Sequence, residues 1–137
     1  METYAFIHFG LNTFADKEWG YGDTPASSFN PSNLDCEQWV RTIKAAGMKG
    51  VILTTKHHDG FCLWPTATTT HNLTRGSGEY HNYNIAQGFA DASKAHNMKY
   101  GFYISPWDRN SAHYGKDTYV SEVFLKQCEE LAAYGSD

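Results

Sequence analysis

The residues best suited to chemistry lie far apart along the chain: His8, then Glu18 and Trp19, then His57-His58-Asp59-Gly60, then Trp107-Asp108. A neutral imidazole offers one donor and one acceptor, and a carboxylate offers acceptors only. Such a set suits a ligand that presents a ring of hydroxyls. An indole beside it packs on the apolar face of such a ring. Lys and Arg are sparse in these segments, Lys56 and Arg109 being the exceptions, so a neutral hydroxylated ligand fits better than a phosphate. Each residue also has a plainer reading. His8 taken alone reads as a satisfied, half-buried histidine. Trp19, Trp39 and Trp64 are all open to a core reading, Trp39 most of all because it falls on a helix face. His57, His58 and Asp59 are also open to a divalent-metal reading. Neighbours on a regular strand point to opposite faces, so adjacent histidines rarely aim at one ion unless the strand has already ended. His71, His81, His96 and His113 fall in loops or near a helix end and read as exposed.

The elements that must position these groups follow from the apolar pattern. Residues 4–9 form a compact apolar run closed by Gly10, which predicts a buried strand. Residues 11–34 carry Asn, Asp, Gly, Pro and Ser throughout and predict a long loop. A helix begins at Asp35, which can cap it with Gln38 three residues on. Trp39, Ile43 and Ala46 share its inner face, and Gly47 stops it where a left-handed residue is needed. A strand over 48–55 and a second long loop over 56–83 follow. Asn84 caps the next helix, with Gln87 three residues on, and Ile85, Phe89 and Ala92 share a face. Asn97 takes the place of Gly47. A third strand covers 98–105, and a last helix runs from about 119 to 134, stopped at Gly135. The pair Ala46-Gly47-Met48-Lys49 and His96-Asn97-Met98-Lys99 is a weak internal repeat.

That order is βαβαβα, which implies parallel strands with right-handed crossovers. The apolar strands suggest burial on both faces. A doubly wound sheet and part of a (β/α)8 barrel both fit. No glycine-rich phosphate loop follows a strand, which weighs against a nucleotide-binding sheet. In either case the loops after the strands leave from one end, so His8, His57, His58, Trp107 and Asp108 converge there, joined by Glu18 and Trp19. A complete barrel needs about 250 residues. For a barrel, 1–137 is therefore expected to be one piece of a single domain, ending before a fourth strand.

Composition narrows the class. The chain has 137 residues, 41% hydrophobic and 19% charged, which is rich enough for a packed core. Its net charge of −4 is unlike the basic footprint of a nucleic-acid binder. No apolar run is long enough for a membrane span. The start, Met1-Glu2-Thr3-Tyr4, has no basic n-region of a signal peptide. Cys36, Cys62 and Cys128 are odd in number and widely spaced. They suit neither a disulfide framework nor a zinc cluster, and read as small buried apolar residues.

Taken together, Phe6-Ile7-His8-Phe9-Gly10, Glu18-Trp19-Gly20, Phe29-Asn30-Pro31, Lys56-His57-His58-Asp59-Gly60-Phe61 and Trp64-Pro65 resemble the α-L-fucosidases of glycoside hydrolase family 29 in wording, order and spacing. Ser105-Pro106-Trp107-Asp108-Arg109 resembles a bacterial branch acting on α-1,3 and α-1,4 linkages. The resemblance covers nearly the whole chain. It implies a (β/α)8 barrel followed by a β-sandwich, retaining removal of terminal α-L-fucose, and no cofactor. It implies that His8, His57 and His58 hydrogen-bond the fucose hydroxyls. Glu18 or Trp19 would touch the same sugar, and Trp107 would flank it. It also implies that relatives are often exported.

The family's nucleophile is an Asp at the end of the fourth strand, and its acid/base Glu comes later. Asp137 does not fill the first place, because no strand precedes it. The loop 70–83 departs from the family pattern. Retaining hydrolysis uses two carboxyls about 5 Å apart, and Glu18 by itself does not replace them. The chain alone is therefore expected to be inactive. Two other readings remain open at this level: a barrel piece that holds fucose without cleaving it, and a metal-dependent α/β hydrolase built on His57 and His58.

Overall fold

The computed structural model describes residues 3–136; Asp137, set aside above as a nucleophile, lies outside them. The elements in chain order are β1 (Tyr4–Ile7), α1 (Leu11–Ala15), α2 (Cys36–Ala45), β2 (Gly50–Lys56), α3 (Ile85–Ala95), β3 (Lys99–Ile104) and α4 (Leu125–Ala132). A π-helical stretch, Val120–Phe124, leads into α4. The strands pair in the order β1-β2-β3, all parallel, with Phe6 beside Ile52 and Ile52 beside Gly101.

Local chemistry accounts for the helix ends. Asp35 accepts a hydrogen bond from the Gln38 N–H at 2.9 Å, and Asn84 does the same for Gln87 at 3.1 Å. Each satisfies an N–H that has no partner within its helix. α2 and α3 are followed by left-handed residues, Gly47 at φ 83° and Asn97 at φ 51°. Glycine adopts that conformation freely, and asparagine tolerates it better than most residues. The repeat in the sequence is therefore the same helix stop used twice.

The core lies between one face of the sheet and α2 and α3. Val51, Leu53 and Tyr100 pack there with Val40, Ile85, Phe89 and Ala90. Side chains alternate along a strand, so Phe6, Ile52 and Thr54 point the other way. That second face has no helix on it among the described residues. Phe6 is 55% exposed, and Tyr4 is 47% exposed. The first strand is thus half-buried rather than buried, which corrects the expectation. Its apolar run states a need for cover that these residues do not meet.

Other differences are smaller. The loop 11–34 contains α1 and a 3-10 turn, Ala26–Ser28. Its many Asn, Asp and Gly residues hide the turn that the Thr13 hydroxyl ties to the Gly10 N–H at 3.2 Å. His71 is buried, not exposed, with its ring edge-on to Phe61 at 5.4 Å. His81 and His96 are half-buried, and His113 is exposed. Trp64 is buried and Trp39 packs against the core, whereas Trp19 is 51% exposed. Cys36 and Cys62 are buried and Cys128 is partly so, all three as free thiols.

Candidate functional site

Parallel pairing puts the C-terminal ends of β1, β2 and β3 side by side. His8 follows the last residue of β1, His57 the last of β2 and Ser105 the last of β3. The His8 and His57 rings lie 5.7 Å apart, edge to face, and the His57 and His58 rings lie 4.2 Å apart. Adjacent histidines share a side because the strand has ended. The Gly60 N–H closes a turn onto the His57 carbonyl at 3.1 Å. Gly60 takes φ 80°, with the Asp108 carboxylate where a Cβ would stand. The turn His57-His58-Asp59-Gly60 therefore needs glycine at its end for both conformation and space.

A pocket of about 440 Å³ opens beside these rings, lined by His8, Asn12, Glu18, Thr54, His57 and Asp59 among others. His58, Trp19 and Trp107 form its shoulder. The His58 ring stacks at a tilt 4.9 Å from Trp107, and Trp19 stands edge-on to both, at 6.0 Å from His58 and 6.2 Å from Trp107. The structure thus brings His8, Glu18, Trp19, His57, His58 and Trp107 to one rim.

Ser105, quoted above only as the start of a motif and given no role there, orients this shoulder. Its hydroxyl donates to the Trp107 carbonyl at 2.9 Å and accepts from the Trp107 N–H at 3.1 Å. Its oxygen also lies 2.7 Å from His58 Nδ1. With the hydroxyl proton committed to the carbonyl, His58 Nδ1 is the donor. In neutral His58 this leaves Nε2 as an acceptor for a ligand hydroxyl. Burial, with the Arg109 charge added, lowers the His58 pKa. Burial, followed by the nearby His58 and His8, lowers that of His57 to about 4. His57 is neutral near pH 7 and can both donate and accept.

Asp59 has the opposite shift. Burial raises its pKa to about 6, against hydrogen bonds from the Phe61 and Asp59 N–H groups; Asp108 adds to the rise and Lys56 opposes it. Among the described residues its Oδ2, Asn12 Oδ1 and Thr54 Oγ1 are buried without a hydrogen-bond partner, and all three residues line the pocket. The sequence named Asp59 beside the histidines and as a candidate metal ligand, and did not mark Asn12 or Thr54. Among the described residues no group of three or more His, Cys, Asp or Glu side chains is placed to hold a metal ion.

Behind the rim lies a buried ion pair. Lys56 Nζ meets Asp108 Oδ2 at 2.8 Å, Tyr119 Oη at 3.0 Å and Gln127 Oε1 at 3.0 Å. Burial works to lower the Lys56 pKa, but the charge and hydrogen bonds of Asp108 and the Tyr119 hydroxyl raise it overall. A register shift between Thr54 and Lys56 sets Lys56 opposite Ile104. The bulge turns the ammonium toward α4, where strict alternation would put it beside Thr54. Asp108 Oδ1 accepts from the Asn110 and Ser111 N–H groups at 3.0 and 2.8 Å. Asn110 Nδ2 donates to the Gly22 carbonyl at 2.9 Å and Arg109 Nη1 to that of Gly20 at 2.7 Å. The loops after all three strands are tied together in this way. Lys56, noted above as a cation near the ligand, is a buried structural group.

The sequence matches the α-L-fucosidase family over residues 2–134. The chain belongs to the α-L-fucosidase family. It is 44% identical over 126 residues to alpha-L-fucosidase 1 of Arabidopsis thaliana, a match covering 92% of this chain and 25% of that protein. Its backbone is similar to that of a glycoside hydrolase 29 family member from an unknown rumen bacterium. There the TM-score is 0.94 at 47% identity, over 98% of this chain and 24% of the other. A Ruminococcus gnavus family 29 fucosidase in complex with fucose matches at TM-score 0.70 and 35% identity, over 84% of this chain and 24% of that one. The chain thus spans about a quarter of the length of the curated relatives it matches.

Proposed function

We propose that residues 1–137 form the first three βα units of a (β/α)8 barrel domain of a retaining α-L-fucosidase, and that their pocket holds a terminal α-L-fucose. The observation that carries this is the meeting of His8, His57 and His58 at the ends of neighbouring parallel strands, beside a pocket. The uncovered sheet face supports the barrel, since a barrel interior is where Phe6 and Ile52 would be buried. His8, His57 and His58 hydrogen-bond the sugar hydroxyls, the last through Nε2. Glu18 accepts from another hydroxyl, Trp19 packs on the apolar face of the ring, and Trp107 flanks it. A neutral sugar suits neutral imidazoles, and fucose carries both hydroxyls and an apolar methyl edge. The Trp107-Asp108-Arg109 exit favours α-1,3- and α-1,4-linked fucose.

The reaction needs a nucleophile and an acid/base carboxyl about 5 Å apart. Asp59 does not supply the pair by itself, because its carboxyl is buried and the reaction needs two. Glu18 by itself does not replace the pair. Both catalytic carboxyls are assigned to polypeptide outside 1–137, as is the β-sandwich. The test uses two measurements on the 137-residue chain. Calorimetry with L-fucose gives heats that saturate, with a dissociation constant raised at least ten-fold by His57→Ala. Incubation with an activated aryl fucoside gives no release above the blank. Turnover would overturn the catalytic assignment, and absence of any binding heat would overturn the site.

A further inference from the structure

Next to the fucose pocket, and sharing Lys17 and Glu18 with it, lies a second cavity of about 460 Å³ lined by Lys17, Glu18, Trp19, Gly20, Tyr21 and Arg109. Its floor is aromatic and open, since Tyr21 is 64% exposed and Trp19 is 51% exposed. Its rim is cationic. The Arg109 guanidinium lies 4.8 Å from the Tyr21 ring centre and 5.1 Å from that of Trp107, and Lys17 Nζ lies 5.1 Å from the Tyr21 ring. Gly22, at φ 78°, lets the chain pass against the Arg109 backbone, where a Cβ would collide with its carbonyl.

We infer that this shelf binds the sugar next to the fucose, and that it favours a sugar bearing an anionic group, a sulfate ester or a carboxylate. The inference rests on the fucose reading of the main pocket. Trp19 forms the wall between the two cavities, because it contacts His58 and Trp107 on one side and lines the shelf on the other. A disaccharide with fucose against the histidines therefore extends its second ring past Trp19 onto the shelf, beside Arg109 and Lys17. Arg109 is pre-set for an anion. Among the described residues its side-chain hydrogen bond goes to the Gly20 carbonyl, which takes one of five N–H donors. The flanking rings hold the guanidinium plane still, and a fixed fork suits two oxygens of one anionic group. Lys17 adds a second positive charge on an exposed side chain, against the single carboxylate of Glu18 at the boundary. The loop ties through Gly20 and Gly22 keep Tyr21 and Arg109 in register.

The test is calorimetry on the full chain with L-fucose and three disaccharides: α-1,3-fucosyl-N-acetylglucosamine, its 6-sulfate, and a fucosyl-uronic acid. The sulfated and carboxylated ligands bind about ten-fold tighter than the neutral one at low ionic strength, and the ratio shrinks in about 0.5 M salt. Arg109→Gln brings the ratio close to one. Lys17→Met, at an exposed position, lowers it in the same direction should the arginine variant fail to fold. A gain with one anion only identifies which group the shelf takes. Equal affinity for neutral and anionic disaccharides, with L-fucose still bound, would overturn the shelf and leave the fucose site standing. No binding of any of the four ligands would overturn both.

Discussion

Asp59 is an uncommon carboxyl, buried within the histidine turn with one oxygen lacking a partner among the described residues. Its pKa stands at about 6 against an ordinary 3.8. Between those values the folded chain holds a proton that the unfolded chain releases. This group's contribution to stability therefore falls as pH rises through the window, and the loss is complete above about 6. Asp59→Asn keeps an acceptor for the Phe61 N–H and removes the buried charge. Its melting temperature relative to the parent should be about 3–6 °C more favourable at pH 8 than at pH 4. Thermal unfolding at the two pH values checks this; a difference that does not change with pH would refute it. His57 acts in the opposite sense, being about 4 when folded against 6.5. Its contribution is present above 6.5 and is lost as pH falls toward 4. That effect is common to parent and variant and cancels in the comparison.

At the scale of elements, Lys56 and Asp108 join the end of β2 to the loop after β3 and, through Gln127, to α4. Both are buried, so removing one leaves the other without its partner. Such a loss costs about 3–5 kcal/mol, whereas replacing both groups costs far less. Lys56→Met should lower stability to urea by about that amount. In Lys56→Met with Asp108→Asn, more than half of the loss should return, because asparagine still accepts from the Asn110 and Ser111 N–H groups. Additive losses in the double variant would show that the pair is not coupled. The same ion pair explains why the rim loops keep their places although many of their side chains are exposed. Their backbones are anchored from behind, at Gly20, Gly22 and His58.

At the scale of the whole molecule, the sheet has one covered face and one open face. Phe6 stands on the open face of β1, and among the described residues neither β1 nor β3 pairs on its outer edge. Exposed strand edges beside apolar surface invite association. The chain by itself should therefore self-associate at micromolar concentration. Phe6→Lys should raise the monomer fraction several-fold in sedimentation velocity, because it places a charge on that face and edge. An unchanged distribution would show that association uses another surface.

Much of this was legible before any coordinates. Strand–helix alternation gave the parallel order, Asp35 and Asn84 marked helix starts, and Gly47 and Asn97 marked stops. These are local signals: a cap or a left-handed stop acts within four residues and needs no distant partner. The gathering of His8, His57, His58 and Trp107 at one end was also derivable, because parallel strands aim their exits the same way. Other features were not. That Lys56 is buried depends on a bulge and on Gln127, seventy-one residues away. The Ser105 grip on His58, the burial of His71 and Asp59, and the Arg109 stack on Tyr21 join residues from separate loops. Such pairings depend on where backbones meet in space, and tertiary packing alone decides that.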